Sequence, residues 1–137
     1  MPFTIRRVEY FYTLVKDKPG EAYKLLNLLT SLGVNQLAFS AIPVGPDSTQ
    51  LAVFPEDPAK LVNETRKTGI HLDGPHHALL IQGDDDLGAL AGIHQKLFEA
   101  NINVFSSSGV TDGRGSYGYL IYVKEDDFLR AAETLGL

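Results

Sequence analysis

The chain has 137 residues, 44% of them apolar, with 17 Asp/Glu against 12 Lys/Arg and no cysteine. The missing cysteine excludes disulfides, thiolate nucleophiles and zinc ribbons, and a net charge of −5 without a basic stripe argues against holding nucleic acid. No apolar run is long enough to span a membrane, and no signal-peptide core follows Met-Pro-Phe-Thr-Ile-Arg-Arg, so a soluble cytoplasmic protein is expected.

Residues 8–15 are rich in aromatic and β-branched side chains and predict a strand. Asp17 stands where a helix N-cap belongs, with Pro19 and Glu21 in the first turn. Ala22, Leu25, Leu29 and Leu32 then recur at helical spacing, Leu26 and Leu28 widen the apolar face, and Gly33 ends the helix. Residues 34–44 and 49–54 predict two strands joined as a hairpin through Gly45-Pro46-Asp47-Ser48. Asp57-Pro58 starts a second helix that turns Leu61 and Val62 inward; Gly69 stops it, and residues 70–72 predict a short fourth strand. Asp73-Gly74-Pro75 reads as a linker. Beyond it come a strand at 77–82, a helix at 87–100, a strand at 102–110, a turn at 111–115, a strand at 117–123 and a helix at 126–135.

The second half retraces the first at an offset of 68 residues. Asp17/Asp85, Gly20/Gly88, Leu29/Leu97, Asn35/Asn103, Ser40/Ser108, Gly45/Gly113 and Leu61/Leu129 coincide, and Leu25/Ile93, Val34/Ile102, Leu37/Phe105 and Val53/Ile121 keep the apolar register. The expected fold is α+β: two ferredoxin-like βαββαβ units in tandem, spanning 1–73 and 74–137, with antiparallel sheets and helices on one face. The second unit lacks its last strand. That leaves an edge to be closed by another chain or by the long N-terminal strand. Units this small are marginal alone, so shared packing and dimerisation are expected, with a groove between like units as the natural ligand site. The halves also differ in charge, with eight Lys/Arg and seven Asp/Glu in residues 1–69 but four and ten in residues 70–137.

The chemistry sits in a repeated Asp-x-x-Gly between strand and helix. Helix starts present unpaired N–H groups and partial positive charge, which suit a carboxylate, while the carboxylate of Asp17 or Asp85 could accept an ammonium. Together these would receive a zwitterion. Equally, both Asp residues could do no more than cap their helices, and both Gly residues no more than fit tight turns.

Asp17-Lys18-Pro19-Gly20-Glu21 before an apolar helix and Leu-Gly-Val-Asn35, with Gly88-Ala89-Leu90 and Ala-Asn-Ile-Asn103 in the second half, resembles a tandem ACT-domain protein. The resemblance covers nearly the whole chain. It implies a stand-alone regulatory module that binds a free amino acid where paired domains meet, as a homodimer acting on a regulated enzyme. It implies ligand contacts from Asp17, Lys18, Pro19, Gly20, Glu21 and Asn35, and from Asp85, Asp86, Leu87, Gly88, Ala89 and Asn103. The acidic Asp84-Asp85-Asp86 run departs from the first loop, and the first loop, with a complete fold around it, is the favoured site.

Other constellations are weaker. Ser106-Ser107-Ser108-Gly109 could offer hydroxyls but reads as a polar strand. His71, His76, His77 and His94 complete no metal-ligand set, and no cofactor is expected. Gly113-Arg114-Gly115-Ser116 lacks the helix a phosphate loop needs, and Tyr10, Phe11 and Tyr12 read as core and interface. No nucleophile–base pair is present, so a non-enzyme is expected. Two alternatives stay open: an interaction subunit without a small ligand, and a small metal enzyme of the vicinal-oxygen-chelate type.

Overall fold

A computed structural model describes residues 3–137. The elements are β1 (Phe3–Lys16), α1 (Glu21–Ser31), β2 (Gln36–Pro43), β3 (Ser48–Pro55), α2 (Pro58–Arg66), β4 (Asp73–Asp84), α3 (Ala89–Glu99), β5 (Val104–Thr111), β6 (Ser116–Val123) and, after a 3-10 turn at Glu125–Asp127, α4 (Phe128–Thr134). The architecture is α+β with antiparallel strands, and the chain divides into two compact units.

The first unit is Glu9–His76. Its strands run β2-β3-β1 with the opening residues of β4 beside β1. Phe11 pairs with Val53 and Thr13 with Leu51, so the apolar members of β1 and β3 share a face. On that face Phe11, Leu51 and Val53 pack against Leu25 and Leu29 of α1 and Leu61 of α2. Asp57 caps α2 as predicted, its side chain accepting from the Lys60 N–H at 3.2 Å, with Pro58 at the first position.

The second unit is residues 3–8 with His77–Leu137, its strands running β1-β4-β6-β5. The fourth-strand position is taken by the start of β1. Phe3 and Ile5 pack against the core formed by Leu79, Ile81, Tyr117, Tyr119, Ile121, Ile93, Leu97 and the α4 side chains, and Thr4 Oγ1 donates to the Gln82 carbonyl at 3.3 Å. Burying a set of this size is the principal stabilising term, at about 25 cal/mol per Å² of apolar surface.

The offset of 68 holds in the backbone as well as in the residues. Val34 N–H donates to Leu29 O and Ile102 N–H to Leu97 O, each at 2.9 Å; Val44 N–H donates to Ser48 O and Asp112 N–H to Ser116 O, each at 3.0 Å. Both edge strands carry a bulge at their start, between Gln36 and Ala38 and between Val104 and Ser106. Gly33 leaves α1 at φ +73, and Asn101 occupies the same left-handed position after α3 at φ +58. Asn tolerates this region less well than Gly. Asn101→Gly is therefore expected to raise the unfolding free energy by about 0.5 kcal/mol in a urea titration.

Several sequence expectations are corrected. The strand predicted at 8–15 begins five residues earlier, because Phe3 and Ile5 find a core to enter. Residues 70–72 form no strand, and the expected linker 73–75 is the start of the long β4. Gly74 makes this possible: a Cβ there would lie 2.6 Å from Phe11 Cδ2 and 2.9 Å from the Tyr10 carbonyl. The unit boundary accordingly falls between His76 and His77, where the sequence places it at Asp73/Gly74. The Leu61/Leu129 equivalence also fails, since Leu61 is fully buried and Leu129 is 61% exposed. The 3-10 turn before α4 rotates that helix, so that Phe128 and Ala132 face inward where Leu61 and Thr65 do in α2.

Candidate functional site

Both strand-to-helix loops are built on the same backbone. Gly20 and Gly88 are the N-cap residues, at φ +91 and +82, with open space where a Cβ would stand. Glycine is needed there for its conformation and not for room. Neither helix has a side-chain cap, so the prediction that Asp17 caps α1 is not met. The helices start later than the Asp residues, whose backbones are used instead to tie the loops to the facing hairpin turns. Asp17 N–H donates to Asp47 O at 2.9 Å, and Asp85 N–H to Gly115 O at 2.8 Å.

The loops differ in what surrounds them. Asp17, Lys18, Pro19 and Gly20 are exposed, and the next residue, Glu21, folds its carboxylate in. The Glu21 side chain is 19% exposed and pairs with Lys24 Nζ at 3.1 Å, so the first turn of α1 already holds an anion. In the second loop Ala89 stands at that position. A cavity of about 560 Å³ opens there, lined by Asp85, Asp86, Leu87, Gly88, Ala89, Leu90 and Ala91 and by Gly109, Val110, Thr111, Tyr117 and Gly118.

The cause is legible residue by residue. Ala89, Ala91, Gly109 and Gly118 replace Glu21, Tyr23, Ala41 and Gln50 at the offset of 68. All four line the groove between the start of α3, the end of β5 and the start of β6. Helix geometry directs the N–H groups of Leu90 and Ala91 out of the first turn, while that of Ala89 is used by Asp86 O at 3.0 Å. Burial and the neighbouring Asp84 push the Tyr117 phenol up, so it stays a neutral donor at the cavity wall at physiological pH.

The structure does not bring Asn35 or Asn103 to these loops within a single unit. Each is exposed beyond the far end of an eleven-residue helix, about 16 Å from the loop before it. Nor do the four histidines converge, and among the described residues no group of three or more His, Cys, Asp or Glu is placed to hold a metal. His77 meets Glu125 at 3.1 Å, and Gly113-Arg114-Gly115 forms the β5–β6 turn, where Asp112 Oδ1 accepts from Arg114 N–H at 2.6 Å.

Two polar clusters were not anticipated from the sequence. In the first unit the rings of Tyr10 and Tyr12 lie 5.4 and 5.0 Å from that of His76, whose Nε2 meets Asp73 at 3.1 Å. The Tyr12 hydroxyl, then His76, hold the Asp73 carboxyl below the usual carboxylate range, and Asp73 in turn raises Tyr12. For a lowered carboxylate the contribution to stability is present above the unfolded pKa and lost as pH falls through the folded one. Tyr12→Phe is expected to move the Asp73 midpoint up toward its ordinary value in an NMR carboxyl titration.

In the second unit His94 Nε2 lies 2.6 Å from the Tyr119 hydroxyl, which donates to Ser107 Oγ at 2.9 Å. At the offset of 68 the same positions in the first unit are Leu26, Leu51 and Phe39, all apolar. That triple exchange is the signal in the sequence that could have found the cluster.

No family model matches the chain, and no curated protein matches it. Solved structures do. Protein BT0572 from Bacteroides thetaiotaomicron superposes with a TM-score of 0.79 at 15% identity, covering 96% of this chain and 88% of that one. The ligand-free regulatory subunit of aspartate kinase from Thermus thermophilus gives 0.64 at 12% identity, covering 97% and 93%. A structure of aspartokinase alpha and beta subunits gives 0.61 at 18%, covering 98% and 95%. At such identities the likeness speaks to architecture alone, and with the topology above the chain has the α+β, ferredoxin-like tandem fold of these structures.

Proposed function

We propose that this protein is a regulatory module that binds a free amino acid at the second loop, Asp85 to Ala89, between two paired copies, and thereby acts on an enzyme. The observation that carries this is the cavity shared by that loop and the end of β5. Its volume lies in the range of small-molecule sites, and a helix start beside acidic side chains suits a zwitterion. One of the structures named above is the regulatory subunit of an aspartate kinase and superposes over nearly the whole chain, which supports a regulatory role.

The pairing follows from β5. It is the edge strand of its unit, exposed from Phe105 to Thr111, and it carries neither charge nor proline to discourage pairing. An antiparallel match with β5 of a second copy puts Asn103, before the start of one strand, next to the loop at the end of the other. The asparagine and the loop that one unit holds apart would then share a site. The first loop, whose turn is already occupied by Glu21, is the weaker candidate despite its complete Asp-Lys-Pro-Gly.

Isothermal titration against the twenty amino acids, with sedimentation of the same sample, tests this. At least one ligand should bind a dimer, and uniformly flat traces from folded protein would refute it. Ser108→Lys sets like charges near each other across the paired strands and is expected to weaken dimerisation at least tenfold.

A further inference from the structure

The cluster of His94, Tyr119 and Ser107 lies on the three elements that line the cavity, next to lining residues on each of them. On α3, His94 follows Leu90 and Ala91 at i+4 and i+3, on one helix face. On β5, Ser107 is two residues from Gly109, and on β6, Tyr119 is two residues from Tyr117, in each case on the same strand face. All four of those neighbours line the cavity. Gly109 also adjoins the Tyr119 ring, since a Cβ there would stand 2.6 Å from Cδ1. Three elements thus lead from the loop to the same three polar groups. The Tyr119 residue is 7% exposed, His94 is half-buried and the Ser107 residue is exposed.

A polar chain in a position that the sister repeat fills with Leu26, Leu51 and Phe39 forgoes apolar packing. It contains no Lys, Arg, Asp or Glu, so its recognition chemistry is that of imidazole and hydroxyl hydrogen bonds. His94 lies six residues beyond Gly88, about 9 Å along the helix. We propose that this cluster reads the far end of the ligand's side chain, and that the second unit selects an amino acid with an extended side chain ending in a neutral hydrogen-bonding group such as a carboxamide. The inference rests on the amino-acid reading of the second loop.

Titration with free glutamine, methionine and lysine, which are similar in reach and differ at the tip, tests it. Glutamine is expected to bind at least tenfold more tightly than either of the others. In Tyr119→Phe and Ser107→Ala, which keep the packing, and in His94→Leu, which copies the first repeat, the glutamine-to-methionine ratio should fall below threefold with methionine affinity unchanged. Equal affinities in the native chain, or a ratio that survives all three substitutions, would overturn the inference and leave amino-acid binding standing. Failure of the native chain to bind any amino acid would remove both.

Discussion

Ala89→Glu combined with Gly118→Gln, which writes the first repeat's residues into the second groove, is expected to weaken amino-acid binding at least a hundredfold. That corresponds to about 2.8 kcal/mol. Ala89 and Gly118 both line the cavity, and Glu21 shows what a carboxylate does at the first of these positions: it folds into the first turn beside Lys24. A resident anion there repels the ligand carboxylate and competes for the same field. Folding should scarcely change, because a Cβ at Gly118 meets nothing within 4 Å and an acidic residue suits the start of a helix. Calorimetric titration gives the first quantity and urea unfolding the second. Unchanged affinity in the folded double variant would remove the second loop from consideration as the site.

Gly74→Ala is expected to cost about 3 kcal/mol of stability, from a crowded contact and a disfavoured backbone conformation together. Gly74 sits at φ +154, and the added Cβ would lie 2.6 Å from Phe11 Cδ2 and 2.9 Å from the Tyr10 carbonyl. Neither can move aside easily, since Phe11 is 4% exposed in the first unit's core and the carbonyl belongs to a paired strand. Gly88→Ala is the control. It also has a positive φ, +82, but has open space around it, so it should show only the conformational cost of roughly 1–2 kcal/mol. The difference between the two in urea unfolding isolates the close approach of β4 to β1. Equal losses would mean that contact contributes nothing.

Local periodicity made most elements legible. The apolar spacing of Leu25, Leu29, Ile93 and Leu97 marks two helices whose inward faces are these residues. The paired glycines mark two loops of one geometry, and Asp57-Pro58 marks a capped helix start. These are interactions between residues a few positions apart, so a window of sequence contains both partners. The boundaries that went astray depend on distant ones. Gly-Pro reads as a linker until Phe11 is seen pressed against it, and Leu129 keeps register with Leu61 until a short 3-10 turn rotates its helix.

By itself the sequence determined the duplication, the α+β class and the pair of helix-start loops, because an offset of 68 residues repeats the same short-range instructions twice. Only the tertiary structure decided which strand completes the second unit, since residues 3–8 meet β4 across more than seventy residues of chain. It also decided which loop is open. Ala89, Ala91, Gly109 and Gly118 come from three separate elements, and the space they leave exists only where α3, β5 and β6 are packed together.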